Sequence, residues 1–128
     1  MNDSKNPLSP HLQIYRWHIS SLLSITHRIS GVINLVALIL VFLWLVNLSL
    51  GENTYSSFLS IINSFTGKFI LIGFTWSMIF HILSGVRHLI WDIGYGFEIN
   101  TANISGVIVI IFSLILTVIF WMFTRGII

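Results

Sequence analysis

Three long apolar stretches, separated by shorter polar ones, set the pattern of this sequence. Residues 29–50 carry no charge, residues 68–92 are apolar through most of their length, and residues 106–123 are rich in Val, Ile and Phe. Each stretch has about the length that a helix needs to cross a bilayer, which is about 20 apolar residues. The pattern therefore predicts an all-α protein with three transmembrane helices, at about residues 21–50, 64–92 and 105–125.

The segment before the first predicted helix is polar. Residues 1–20 contain both prolines of the chain, Pro7 and Pro10, which disfavour a helix there. Towards its end the segment alternates aromatic and aliphatic with polar side chains, which is typical of a chain lying at the membrane surface. It lacks the pattern of a cleaved secretory signal. Ser20 or Ser21 is the predicted N-cap of the first helix.

Two further polar stretches separate the predicted helices. Residues 51–63 are interpreted as a connector, and residues 93–105, with two glycines and several cap-forming side chains, as the loop to the third helix. That third helix has no ionisable group before Arg125, so we expect it to be a packing helix that faces lipid. The whole chain, residues 1–128, is predicted to be a single membrane-anchor domain.

Composition supports the membrane class and narrows the chemistry. Hydrophobic residues make up 55% of the chain and charged ones 8%, far from the balance of a soluble domain. Basic residues do not cluster with aromatic ones, so nucleic-acid binding is not expected. Because the chain contains no cysteine, disulfides, thiolate metal sites and iron–sulfur ligation are excluded. Any metal must be bound by His, Asp or Glu.

The distribution of positive charge predicts the orientation of the bundle, because basic residues accumulate on the inner side of a membrane. More of them fall on the predicted N-terminal side of the bundle than on the opposite side. The N-terminus is therefore predicted to lie inside and the C-terminus outside. The basic residues are Lys5, Arg16, Arg28 and Arg87 on the N-terminal side and Lys68 and Arg125 on the other.

One histidine is predicted to lie near the middle of the bilayer. In a helix, His81 is roughly 20 Å from Lys68 and roughly 16 Å from Asp92. An ionisable side chain at that depth usually has a function, and Gly85, one turn later on the same face, would let a flat group approach. His88 is about 10 Å nearer the surface, so a second metal ligand would come from another helix. The alternative is a hydrogen bond to a neighbouring helix.

A second candidate lies at the start of the first helix. Ser24 and Arg28 are one turn apart and therefore share a face. A hydroxyl and a guanidinium so placed suit a neutral ligand with carbonyl oxygens. The alternative is that Arg28 only extends towards lipid phosphates, as arginines at the ends of spans commonly do.

Three segments of the sequence resemble one family, the cytochrome b membrane-anchor subunits of succinate dehydrogenase, respiratory complex II. PLSPHLQIY, at residues 7–15, is similar to the family's N-terminal signature. SITHRISG, at residues 24–31, resembles the start of its first helix, and HILSGVRHLIWDIG, at residues 81–94, resembles its second-helix motif. The likeness extends to the order and spacing of the three spans, so it covers most of the chain.

The resemblance implies a haem site. In the family, this three-helix C subunit pairs with a second three-helix anchor, the D subunit, and haem b is held between them. The first histidine of the second-helix motif is an axial ligand of the haem iron, and it matches His81. The histidine that matches His27, with basic residues nearby such as Arg28 and His88, is associated with the haem propionates.

The resemblance also implies a ubiquinone site. The serine and arginine of the first-helix motif line that site in the family, and they match Ser24 and Arg28, with Ile25 beside them. This sequence departs from many relatives at Thr26 and Ser84, where leucine and asparagine are common. Neither position binds haem or quinone in the family, so the implied sites are unaffected.

The function implied is electron transfer from succinate to ubiquinone, in the respiratory chain and the citric acid cycle. The chain has no group suited to taking hydride from succinate, so it is not expected to be an enzyme on its own. Dicarboxylate oxidation would belong to the flavoprotein (A) and iron–sulfur (B) subunits, which it helps to dock at a bacterial inner or mitochondrial inner membrane. The alternatives are a structural or assembly subunit without redox function and a fragment of a transporter, although Asp92 and Glu98 lie only at the membrane edge.

Overall fold

The computed structural model describes residues 18–124, and in that range it contains helices and no strands. Three of the four helices are long and apolar enough to cross a membrane, which confirms the predicted three-span, all-α fold. The four helices are α1 (Ile19–Ser49), α2 (Glu52–Asn63), α3 (Phe65–Asp92) and α4 (Ile99–Thr124), of which α1, α3 and α4 are the candidate spans.

The ends of α1 and α3 lie close to the predicted positions. The N-cap of α3 is Ser64, whose side-chain oxygen accepts a hydrogen bond from the backbone N–H of Gly67 at 3.1 Å. The prediction of a serine N-cap for α1 was wrong, because α1 begins two residues earlier than expected and His18 occupies the cap position without a side-chain hydrogen bond. The backbone N–H groups of Ser21 and Leu22 instead donate to the carbonyl of His18.

The stretch predicted to be a connector after α1 forms a separate helix, α2. Gly51 precedes it with a φ of 105°, a conformation that side chains with a Cβ rarely adopt. The half-buried residues of α2 follow the one-face spacing of an amphipathic helix, and its serines and asparagines are exposed. Those half-buried residues are Tyr55, Phe58, Leu59 and Ile62.

The last span is longer than predicted. It begins at Ile99 and not near residue 105, and the backbone N–H of Ala102 donates to the carbonyl of Glu98 at 2.8 Å in its first turn. The first two turns are polar, which is why the apolar pattern did not include them. They extend the helix beyond the apolar span and lie beside the end of α3.

The bundle is held together by small side chains. α3 contacts each of the other helices, and among residues 18–124 the buried apolar core consists of Leu23, Phe80 and Val109. Close approach of helices through small residues is typical of membrane proteins. Most large apolar side chains of the spans are exposed, as expected for surfaces that contact lipid or another subunit. The remaining buried residues of the spans are Ser30 on α1, Gly67, Ser77, Ser84 and Arg87 on α3, and Gly106, Ser113 and Thr117 on α4.

Two tryptophans join α3 to α4 by hydrogen bonds. The indole N–H of Trp76 donates to Ser113 Oγ at 3.1 Å, and that of Trp121 donates to Thr75 Oγ1 at 3.3 Å. The last helix is therefore tied to α3 by specific polar contacts as well as by packing, beyond the lipid-facing role expected for it.

α1 and α4 begin at the end of the bundle where α3 ends, and we call this the N-terminal end. The predicted orientation, with this end inside, stays a prediction. Residues 1–17, which make up most of the predicted interfacial segment, and the predicted end of the last helix at residue 125 lie outside the described residues.

Candidate functional site

Three histidines meet where α1 and α3 pack together. The rings of His27 and His81 are stacked, with centroids 4.0 Å apart and planes inclined by 10°. The ring of His88 meets His27 edge-on, at 5.4 Å between centroids. His27 therefore lies at the depth of His81, which the sequence analysis did not predict. The two helices run antiparallel, so a residue near the start of α1 lies beside one well before the end of α3.

The stacked pair does not bind one iron from opposite sides. The lone pairs of imidazole lie in the ring plane, so two rings stacked face to face do not point their nitrogens at a common atom between them. Among the described residues, no group of three or more His, Asp or Glu side chains is placed to hold a metal ion. His81 therefore qualifies as a single ligand, with any opposite ligand supplied from outside this set.

The Nδ1 atom of His81 lies 2.9 Å from Ser30 Oγ on α1. The same hydroxyl donates to the carbonyl of His27 at 2.7 Å. The alternative considered for His81, a hydrogen bond to a neighbouring helix, is therefore present at one ring nitrogen. Within the described chain, Nε2 has no hydrogen-bond partner, so this second nitrogen is available to a metal.

Glycines on both helices leave space around the His81 ring. A Cβ at Gly31 would lie 3.4 Å from His81 Cε1, so α1 approaches the ring closely there. A Cβ at Gly85 would meet no atom of the described chain within 4 Å. The side of α3 one turn after His81 is thus open to a flat group from outside. A free Nε2 beside an open helix face fits axial ligation of a haem.

Two buried side-chain atoms of the described residues have no hydrogen-bond partner, His27 Nδ1 and Ser84 Oγ. An unpaired buried polar atom costs about 1–3 kcal/mol, so such atoms usually have a partner from outside the chain. His27 Nδ1 lies in the histidine cluster and fits a polar group of a bound cofactor. Nothing in the structure explains the unpaired hydroxyl of Ser84.

The predicted quinone residues lie on α1 next to this cluster. Ser24 is half-buried, while Ile25 and Arg28 are exposed, with 40% of Ile25 accessible. Neither Ser24 nor Arg28 forms a hydrogen bond with another described residue, although the neighbouring Thr26 hydroxyl donates to the carbonyl of Leu22 at 2.9 Å. The serine and the arginine are therefore available to a ligand or to another subunit.

Sequence reasoning missed the structural role of Arg87, which it counted only as a basic residue near the end of a span. Its side chain is 6% exposed. Nε donates to Ser105 Oγ at 2.9 Å, Nη2 donates to the carbonyl of Ala102 at 2.7 Å, and the guanidinium carbon lies 3.9 Å from the ring centre of Trp91. The spacing of Arg87 and Trp91, one helical turn, was the available signal.

Comparison with known proteins gives a family match and several relatives. The family described as the succinate dehydrogenase/fumarate reductase transmembrane subunit matches residues 2–120. The succinate dehydrogenase cytochrome b556 subunit of Rickettsia prowazekii (strain Madrid E) is 42% identical over 118 residues, which cover 92% of each chain. That of Paracoccus denitrificans is 36% identical over 118 residues, covering 92% of this chain and 91% of its own.

A mitochondrial relative is more distant. The succinate dehydrogenase cytochrome b560 subunit of Mus musculus is 33% identical over 125 residues, which span 88% of this chain and 68% of that protein. Relatives thus come from bacteria and from mitochondria, and the three apolar helices make this chain a multi-pass membrane protein. The chain belongs to the family of succinate dehydrogenase/fumarate reductase transmembrane subunits, and the relatives it matches are the cytochrome b subunits of succinate dehydrogenase.

Proposed function

We propose that this chain is the cytochrome b membrane anchor of a succinate:ubiquinone oxidoreductase, in which His81 is one axial ligand of haem b. The observation that carries the proposal is the state of the His81 ring. Nδ1 is bonded to Ser30, Nε2 has no partner in the described chain, and the helix face at Gly85 is open. Bound there, haem b supplies a one-electron redox centre between the helices.

The second axial ligand comes from the partner anchor subunit, D. The stacked arrangement of His27 and His81 supports this assignment, because His27 presents its ring face to His81 and its nitrogens to other directions. His88 meets His27 by its edge and Trp91 at 5.2 Å, which places it among aromatic side chains nearer the helix end. The haem thus lies at the interface between the two anchors.

His27, Arg28 and His88 would hold the haem propionates. The buried and unpaired Nδ1 of His27 is suited to a hydrogen bond with a carboxylate, and the exposed guanidinium of Arg28 lies one residue further along α1. A carboxylate at membrane depth needs such donors, since an unpaired charge there is costly. These residues would therefore supply the donors for the propionates at the N-terminal end of the bundle.

Ubiquinone binds beside Ser24, Ile25 and Arg28. The serine hydroxyl and the planar guanidinium are one turn apart on α1, near the N-terminal end of the bundle, and can donate to a quinone carbonyl. The exposed side chain of Ile25 offers an apolar contact for the ring. A quinone at this level is close to the membrane surface, where an iron–sulfur centre in a docked subunit can reduce it.

Succinate oxidation belongs to the flavoprotein (A) and iron–sulfur (B) subunits, which dock at the N-terminal end of the bundle on the inner side of the membrane. This chain contributes no residue to the dicarboxylate chemistry. Asp92 and Glu98 are exposed at that end and not at mid-membrane, so a transporter with acids at mid-membrane is not supported. An assembly subunit without redox function would leave the polar site around His81 without a role.

The reduced-minus-oxidised absorption spectrum of the assembled complex tests the proposal. We expect His81→Leu to abolish or change the low-spin b-type spectrum, because the iron loses one of its two nitrogen ligands. His88→Leu removes another histidine of the same cluster and should leave bis-histidine ligation in place. An unchanged spectrum in the His81 variant would exclude this residue as the ligand.

A further inference from the structure

The buried hydroxyl of Ser30 contacts a ring nitrogen of His81. Ser30 is 2% exposed and lies where α1 packs against α3. Its hydroxyl is shared between two histidines, since it lies 2.7 Å from the carbonyl oxygen of His27 and 2.9 Å from Nδ1 of His81. Its own carbonyl is 3.2 Å from the hydroxyl of Ser77.

The number of protons that Ser30 can donate determines which ring nitrogen of His81 carries a proton. A hydroxyl has one proton to donate and lone pairs that accept. With its proton directed to the carbonyl of His27, Ser30 Oγ accepts from an N–H at His81 Nδ1. Both contacts are satisfied only in this arrangement, which leaves the lone pair of His81 on Nε2.

We propose that Ser30 is a positioning residue for His81, which holds its ring in the Nδ1–H tautomer and in one orientation through the Nδ1–H···Oγ hydrogen bond. The inference deepens the proposed function and rests on His81 being a haem ligand. A ligating histidine whose other N–H is hydrogen-bonded is oriented and made more basic by that bond. Here the acceptor is a side chain of the same subunit.

Three further contacts fix the position of the His81 ring relative to Ser30. The ring of His27 stacks on one face of His81, and the backbone at Gly31 lies close to its Cε1 atom. The hydroxyl of Ser77 lies 2.9 Å from Asn34 Oδ1 as well as near Ser30, so the adjacent turn of α1 is also tied to α3. The direction of Nε2 is therefore built into the contact between α1 and α3.

The consequence concerns the haem potential. A more basic axial imidazole stabilises ferric over ferrous iron, so loss of the hydrogen bond should raise the midpoint potential. Outer-shell partners of metal ligands are typically worth at least about tenfold in affinity. A tenfold effect confined to the ferric form corresponds to about 59 mV for a one-electron couple.

The test compares Ser30→Val with Ser30→Thr in the assembled complex, by redox titration and by the ferric EPR spectrum. Valine and threonine have nearly the same shape, so both disturb the packing equally and only threonine keeps the hydroxyl. We expect Ser30→Val to raise the potential and move the EPR g values, with Ser30→Thr close to the native protein. Ser113→Ala, which removes a buried hydroxyl from the contact between α3 and α4 and touches neither Ser30 nor His81, should leave the potential unchanged.

Equal potentials and spectra in the valine and threonine variants would overturn the proposal, as would an equal loss of haem in both. Haem loss in the valine variant alone would support it, because the hydroxyl is the difference. The outcome is separate from that for the proposed function. If His81→Leu left the b-type spectrum unchanged, ligation by His81 itself would fail, whatever the Ser30 variants did.

Discussion

Replacing Arg87 should loosen the start of α4 from the end of α3 while leaving the rest of the bundle intact. Arg87→Met keeps a long, flexible side chain but removes the donors to Ser105 and Ala102 and the stacking over Trp91. The first turns of α4 are held against α3 by these contacts. We therefore expect a local effect and not global unfolding.

The magnitude follows from the interactions that the substitution removes. Hydrogen bonds between side chains in membrane proteins average about 0.6 kcal/mol, charged donors in water-soluble proteins contribute about 1.5–3, and a cation–π contact about 0.5–1. Two effects reduce the loss: methionine removes a buried charge that is costly to desolvate, and the carbonyl of Ala102 keeps the hydroxyl of Ser105 as a donor at 3.1 Å. The lower values apply, and the two reductions bring the net cost to about 1 kcal/mol.

Hydrogen exchange of the complex, followed by mass spectrometry, measures this cost locally. A loss of about 1 kcal/mol lowers amide protection roughly 5-fold in the segment that opens, here the start of α4. Arg28→Met is the matched control, because it removes an exposed arginine near the same end of the bundle. Unchanged protection in α4, or a uniform decrease in α1 and α4, would refute the role assigned to Arg87.

Three further perturbations test other parts of the bundle. A Cβ at Gly67 would lie 2.5 Å from the carbonyl oxygen of Ile62, whereas a Cβ at Gly73 would meet no atom within 4 Å. Gly67→Ala should therefore lower the melting temperature of the complex, and Gly73→Ala should not. Arg28→Lys and Ser24→Ala should each impair quinone reduction strongly, with succinate oxidation by an upstream artificial acceptor nearly normal; parallel losses would point to assembly. Reporters fused to the two ends of the chain should fall on opposite sides of the membrane, and a shared side would refute the three-span topology.

Apolar length was sufficient to locate the spans but not their polar extensions. The stretch that became α3 was predicted to within one residue at its start, because its apolar segment is bounded by Ser64, which is the observed N-cap. The start of α4 was missed because residues 99–105 are polar, and a helix that projects beyond the hydrocarbon needs no apolar side chains. Those residues are instead bound to α3 by the hydrogen bonds of Arg87 to Ser105 and Ala102, and a hydropathy pattern does not predict such bonds.

α2 shows a signal that was present and not used. Tyr55, Phe58, Leu59 and Ile62 have the spacing of an amphipathic helix, but the many serines and asparagines between them favoured a connector. The depth of His27 relative to His81 depends on how α1 is aligned with α3. How α1 and α3 are aligned depends on the length and shape of what joins them, and the sequence alone does not determine that alignment.

The distribution of unsatisfied polar groups separates the two sides of α3. Towards α4, the polar side chains are paired within the chain, as in Trp76 with Ser113 and Arg87 with Ser105. Towards α1, the described residues leave Nδ1 of His27 and Nε2 of His81 without a partner. In a hydrocarbon environment, unpaired polar atoms are expensive, so a membrane protein retains them where something outside the chain completes them. This distribution supports the proposal that the side of the bundle bearing the histidines binds the cofactor, while the polar pairs between α3 and α4 serve packing within the subunit.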